Sequence, residues 1–138
     1  MIAVDTNILA RYYVDDPTDP ESKKQRLVAA RLMRDSVAVF VPVTVVLELV
    51  WILKSLYRFE TEDAASAIEH LAGLPNVTVE NWTAVLQAAR LYRQGLQFAN
   101  ALHLLRSSHC EAFYTFDDRK FARRARKMAL TPGIIVPK

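Results

Sequence analysis

The chain has 138 residues, of which 51% are hydrophobic, and this length supports one domain with a buried core but not two. The net charge of +3 permits a polyanionic partner without requiring one, and a single cysteine, Cys110, cannot form an internal disulfide. The longest apolar stretch, residues 37–51, is interrupted by Pro42 and Glu48 and is shorter than the roughly 20 residues that span a bilayer. We therefore expect one cytoplasmic domain over residues 1–138, with no membrane span.

Short apolar strands alternate with helices along the first half of the chain. Asp5 and Asp19 are N-cap residues that predict helix starts, with Pro20 at the first helical position, and Thr61 is expected to cap a later helix. Apolar contacts in the second helix are expected from Leu27, among others. The predicted strands cover residues 2–4, 38–41 and 77–79, and the predicted helices cover residues 8–13, 20–34, 43–57 and 62–72.

The second half continues the same alternation. The predicted helices cover residues 82–93, 96–108 and 118–128, and the predicted strands cover residues 112–115 and 134–136. Gly95 separates the first two helices, and Asp117-Asp118 begins the third, which is strongly basic. Because the strands are apolar runs rather than alternating patterns, they predict a parallel sheet covered by helices on both faces.

Acidic residues follow the predicted strands where ligands bind in parallel α/β folds. Asp5 follows the first strand, Asp117 follows the fourth, and Glu48 lies in the helix after the second, among apolar residues and with no basic residue four positions on. Clustered carboxylates repel one another unless they are protonated or neutralised by a cation. Oxygen ligands suit Mg²⁺ or Mn²⁺, and such ions assist phosphodiester hydrolysis. Asp5 and Asp117 could instead only cap helices, and Asp118 competes with Asp117 for either role.

Four segments together resemble the PIN-domain ribonucleases, and most closely the VapC-type toxins of bacterial toxin-antitoxin pairs. They are Val4-Asp5-Thr6-Asn7-Ile8-Leu9, Val46-Leu47-Glu48-Leu49-Val50-Trp51, residues 95–104, and Thr115-Phe116-Asp117-Asp118-Arg119-Lys120-Phe121. The resemblance implies a PIN-like α/β/α sandwich with a central, mostly parallel sheet. It also implies a metal-dependent endoribonuclease that is neutralised by a cognate VapB-like antitoxin and is usually a homodimer.

The same resemblance places Asp5, Glu48 and Asp117 at the catalytic metal ligands, and it places Asn100 where the family normally has aspartate. An amide oxygen can still bind Mg²⁺, but the site loses one negative charge, so we expect weaker metal binding and slow or absent cleavage. Asn100 is either natural or was introduced so that a host cell could express a toxic protein. We favour the second origin, since Asp→Asn disables a carboxylate while keeping its shape.

Other residues could assist the metal site or bind RNA. Thr6 and Thr115 either hydrogen-bond water near the metal or satisfy local backbone groups. In the basic helix, Arg119, Arg123, Arg126 and Lys127 either bind RNA phosphates or form an ordinary solvated face.

Two rival functions differ from the nuclease. A phosphoacceptor receiver domain requires an acidic pair after its first strand, whereas Asp5 has no acidic neighbour. A PIN-fold protein that binds RNA or an antitoxin without cutting fits a natural Asn100.

Overall fold

The computed structural model describes all residues, 1–138, and separates them into two compact units, residues 1–82 and 83–138. Each unit contains its own parallel sheet, and each is described separately below. The expectation of one domain stays a prediction. No helix is both long and apolar enough to cross a membrane.

Unit 1 is built on a three-stranded sheet in which every strand pair is parallel. Its strands are β1 (Ile2–Ala3), β2 (Val39–Val41) and β3 (Val77–Val79), hydrogen-bonded in the order β1-β2-β3 with Val39 opposite Val77. Its helices are α1 (Thr6–Tyr13), α2 (Pro20–Asp35), α3 (Val43–Ser55) and α4 (Thr61–Gly73). Because the strands are parallel, their carboxyl ends lie at one edge of the sheet, and the residues that follow them share that edge.

The core of unit 1 forms where valine-rich strands meet the apolar faces of the helices. Val39, Val41 and Val79 are buried, as are Val46 and Leu49 of α3. Helix α1 packs against α2 and α3, and α3 also packs against α4. The start of α1, with Asp5 before it, is thereby held beside α3.

Unit 2 begins within helix α5 (Trp82–Arg93) and continues through α6 (Phe98–Leu105), β4 (Ala112–Tyr114), α7 (Arg123–Lys127) and β5 (Gly133–Ile135). A π-helical turn, Asp118–Ala122, leads directly into α7, so the basic segment is continuous helix of two kinds. Strands β4 and β5 pair in parallel. Between α5 and α6, Gly95 has a φ of 109°, a left-handed conformation that favours glycine.

The α/β class with parallel strands, predicted from the sequence, is confirmed, but some local predictions are wrong. Leu27 is exposed, because α2 buries the face of Ser22, Ala29 and Met33, and Leu27 lies about 200° around the helix from Ala29. Thr61 does not cap α4; the N-cap residue is Glu60, whose side chain makes no capping bond. Helix α6 ends at Leu105, three residues before the predicted end.

Candidate metal centre and nucleic-acid interface

Asp5 lies directly before helix α1, in the two-residue link that follows strand β1. Its Oδ1 atom accepts hydrogen bonds from the backbone N–H groups of Asn7, at 3.1 Å, and Ile8, at 3.4 Å. These bonds make Asp5 the N-cap of α1, as one of the two sequence interpretations requires. Its side chain is exposed, and its Oδ2 atom takes no part in the cap. Asp5 can therefore cap the helix with one oxygen and offer the other to a ligand.

Glu48 is held by Thr6, the residue directly after Asp5. Thr6 is 3% exposed, and its hydroxyl donates a hydrogen bond to Oε1 of Glu48. The sequence offers Glu48 no basic residue four positions on, and in the structure its hydrogen-bond donor lies 42 residues earlier. Glu48 is also exposed, because it lies about 200° around α3 from the buried Val46. The chain thus links the Asp5 and Glu48 carboxylates through one threonine.

Glu80 is an acidic residue at the same sheet edge that the sequence interpretation missed. It follows β3 as Asp5 follows β1, and its Oε1 atom accepts a 2.8 Å hydrogen bond from the backbone N–H of Val43. Val43 is the first residue of α3, and the preceding Pro42 gives no side-chain cap. Glu80 therefore caps, from a neighbouring strand, the helix that carries Glu48. The rule that singled out Asp5, an acid directly after a strand, would also have found Glu80.

Asn100 lies in the first turn of α6 and is half-buried. Its Nδ2 atom donates a 3.2 Å hydrogen bond to Oε1 of Gln97, the residue that precedes the helix. Its Oδ1 atom takes no part in this bond and is free to meet a cation or water. Asn100 caps no helix, unlike Asp5.

Asp117 lies three residues after the end of β4 and begins the basic helical segment. Its Oδ1 atom accepts a 3.0 Å hydrogen bond from the backbone N–H of Lys120, and its own N–H donates to the Thr115 hydroxyl at 3.0 Å. Thr115 therefore satisfies a local backbone group. Asp118, the competitor of Asp117, instead pairs with Arg126 at 3.7 Å. Asp117 thus shares the arrangement of Asp5, with one oxygen capping a helix and the other outside the cap.

The basic segment of unit 2 contains cations of two kinds. Arg124 donates to the Gly95 carbonyl at 2.6 Å, and Arg126 donates to the Ile134 carbonyl at 3.0 Å in addition to pairing with Asp118. Arg124 thus connects α7 to the turn between α5 and α6, and Arg126 connects α7 to β5. The side chains of the four remaining cations are exposed and form no hydrogen bond or ion pair within the chain: Arg119, Lys120, Arg123 and Lys127.

Charge is divided unevenly between the two units. Unit 2 carries ten Lys and Arg residues against three Asp and Glu, a net charge of +7. Unit 1 carries eight against twelve, a net charge of −4. The modest charge of the whole chain therefore conceals a strongly basic half, and a basic surface of this kind suits a polyanion.

The chemistry of the acidic residues fits a hard divalent cation. Asp5, Glu48 and Asp117 offer carboxylate oxygens and Asn100 offers an amide oxygen, and each keeps one oxygen outside its hydrogen bonds. Oxygen donors without His or Cys suit Mg²⁺ or Mn²⁺. No three His, Cys, Asp or Glu side chains are grouped so as to hold a metal ion. The structure links Asp5 with Glu48, while the convergence of all four residues stays a prediction.

Comparison with known proteins gave one match. The family model described as PIN domain matches residues 2–127, which is most of the chain. Neither the curated proteins nor the solved structures gave a match.

Proposed function

The chain belongs to the PIN domain family, whose fold is typical of metal-dependent nucleases, and from this premise we propose that it is an endoribonuclease toxin of the VapC type. The observation that carries the proposal is the pair of carboxylates after strand β1 and on helix α3, linked through Thr6, in a chain whose second unit has a net charge of +7. The substrate is RNA, cut at phosphodiester bonds.

Four residues would hold the ion: Asp5, Glu48, Asn100 and Asp117. A bound Mg²⁺ or Mn²⁺ supplies Lewis-acid stabilisation of the charge that develops on phosphodiester oxygens. Thr6 orients Glu48 by its hydrogen bond, and Glu80 fixes the start of the helix on which Glu48 lies.

RNA phosphates would be held by the cations that have no partner within the chain. Arg119, Arg123 and Lys127 are exposed and free to bind phosphate, and they contribute affinity that is independent of sequence. Arg126, which the sequence also suggested, already donates to a backbone carbonyl and pairs with Asp118. We therefore expect Arg126 to contribute less to RNA binding than Arg123.

Asn100 weakens this site because it replaces a carboxylate with a neutral amide. The experiment that tests the proposal compares the chain with Asn100→Asp for RNA cleavage in Mn²⁺ and for Mn²⁺ binding by calorimetry. We expect Asn100→Asp to bind Mn²⁺ about tenfold more tightly or better, since a further negative charge attracts a divalent ion, and to cleave faster. In that variant the Gln97 amide must turn, so that its NH₂ group rather than its Oε1 faces the new carboxylate.

A second candidate function, favoured by Asn100 itself, is a protein that binds RNA or an antitoxin without cutting. If neither the chain nor Asn100→Asp cleaves any RNA in Mn²⁺, while both bind RNA, this second function replaces the first. An Asp5→Asn variant made on the Asn100→Asp background is the matched control, because the amide oxygen can keep the helix cap while the carboxylate is lost.

A toxin requires a neutralising partner, and unit 1 offers a surface that suits one. A groove of about 630 Å³ between α1, α2 and α3 is lined by Ile8, Val28 and Leu56, and the last two are exposed. We assign this groove to the VapB-like antitoxin, and we propose a homodimer as the form of the chain. Expression of Asn100→Asp should arrest bacterial growth, while the same variant with Asp5→Asn should not.

A further inference from the structure

The two-stranded sheet of unit 2 has an uncovered face that carries aromatic side chains. Tyr114 of β4 lies opposite Ile135 of β5, and because paired residues share a face, both side chains lie on the same side. Tyr114 is 63% exposed and Ile135 is 41% exposed. On the same face, Ala112 lies opposite Gly133, and a Cβ atom placed on Gly133 would meet nothing within 4 Å.

Phe116 is a further exposed aromatic residue, two positions beyond the end of β4. The N–H of Thr115 still donates to the Ile135 carbonyl at 3.1 Å, so the chain continues the strand pairing one residue past Tyr114. Phe116 follows directly, at a bend in the chain, and so lies next to the Tyr114 end of the strand. Phe116 is 85% exposed, although phenylalanine is usually buried.

The opposite face of β4 is packed, so the exposure is confined to one side. Phe113 contacts the buried Phe121 edge to face, with ring centroids 5.5 Å apart and planes at 68°. The core of unit 2 therefore uses Phe113 and leaves Tyr114 and Phe116 outside. We call the surface formed by Tyr114, Phe116 and Ile135 the aromatic face.

The aromatic face adjoins the unpaired cations of the same unit in the chain. Phe116 precedes Asp117 and stands two residues before Asp118, where the π-helical turn that carries Arg119 and Lys120 begins. A protein partner with an ordinary apolar surface would leave those cations unmatched, whereas a nucleic acid supplies bases for the rings and phosphates for the charges. Charge complementarity thus identifies a single-stranded nucleic acid as the occupant.

We propose that Tyr114 and Phe116 stack on unpaired bases of the RNA, and this proposal rests on the proposed ribonuclease function. Stacking on an aromatic side chain tolerates any base, since every base has a π-face. The aromatic face therefore selects unpaired over paired RNA without reading sequence, and it does so beside Asp117, one of the proposed metal ligands.

The test measures the binding of short oligomers in EDTA, so that nothing is cut. One probe is a fluorescently labelled, unstructured single-stranded RNA of about 12 nucleotides, within the usual range of site sizes. The second probe is an abasic sugar-phosphate oligomer of the same length, which keeps the phosphates and removes the bases. The variants are Phe116→Ala, Tyr114→Ala and the conservative Phe116→Tyr. The matched control is Trp51→Ala, which removes a 66% exposed aromatic side chain from the acidic unit 1.

We expect Phe116→Ala and Tyr114→Ala each to weaken RNA binding by about tenfold and to leave abasic binding unchanged. Phe116→Tyr and Trp51→Ala should bind both probes like the unaltered chain. The stacking proposal is overturned if Phe116→Ala binds RNA normally, or if the substitution weakens the binding of both probes equally. It is also overturned if Phe116→Ala dissociates a dimer in sedimentation while RNA binding stays intact, because the face would then join two copies. If the unaltered chain binds neither probe and Asn100→Asp cuts no RNA, the ribonuclease function itself is lost.

Discussion

Replacing Thr6 with valine removes the one hydrogen bond by which α1 holds Glu48. The two side chains are similar in size, and the change deletes a hydroxyl from a site that is 3% exposed. The Glu48 carboxylate is exposed, so water can replace the lost donor and no charge is left buried. The cost should therefore be that of a hydrogen bond to a charged group, at the lower end of its range, about 1.5 kcal/mol.

This cost converts to a measurable shift in melting temperature. Unfolding entropy of about 2.1 cal/mol/K per residue gives roughly 0.3 kcal/mol/K for 138 residues. A loss of about 1.5 kcal/mol then lowers the Tm by roughly 5 °C. The same loss should lower the urea midpoint without changing the denaturant slope.

A double-mutant cycle isolates the hydrogen bond from other effects of the substitution. Thermal and urea unfolding are measured for Thr6→Val, for Glu48→Ala and for the double variant, and the coupling energy should be about 1 kcal/mol or more. Thr44→Val is the control, because Thr44 is an exposed threonine of α3 with no hydrogen-bond partner, and its effect should stay within about 0.5 kcal/mol. A coupling energy of zero would refute the reasoning, since the two residues would then be independent.

Three further predictions concern charges outside this pair. Glu80→Ala should lower the free energy of unfolding by about 1 kcal/mol in urea through loss of a helix cap, whereas Glu80→Gln, which keeps an acceptor, should cost less; equal costs would exclude capping. Arg123→Ala should weaken RNA binding more than Arg126→Ala, and Arg126→Ala should lower the Tm more; the reverse order would contradict the assignment. Hydrogen bonds from Thr18, led by its hydroxyl, lower the pKa of Asp16, so Thr18→Val should raise that pKa toward its ordinary value of 3.8 in an NMR titration. With the depressed pKa, the contribution of Asp16 to stability is present above about pH 4 and is lost as the pH falls.

The elements of this fold could be predicted from sequence because they are marked by local signals. Strand β3 has its predicted bounds, Val77–Val79, since an apolar run is enclosed by turn residues. Helix α2 begins at Pro20, as the Asp-Pro signature indicates. The face of a helix was harder to predict, as Leu27 shows, because an exposed leucine is locally indistinguishable from a buried one.

Some features of the candidate site could likewise be predicted from local sequence, and others could not. The positions of Asp5 and Asp117 at strand ends could be inferred from the chain alone, and so could their capping roles. The bond from Thr6 to Glu48 could not, because it joins residues 42 positions apart through the packing of two helices. The partnership of Gln97 with Asn100 is local, three residues apart, and is within reach of sequence reasoning.

The helix caps have a consequence for which acidic positions can change. Asp5 and Asp117 each hold the start of a helix with one oxygen, so folding constrains them even in a copy of the chain that never cuts RNA. The Asn100 side chain caps no helix and hydrogen-bonds only to Gln97, so capping places no constraint on position 100. If selection for activity were lost, positions 5 and 117 would still favour a helix-capping residue such as Asp, Asn, Ser or Thr, whereas position 100 would carry no such constraint.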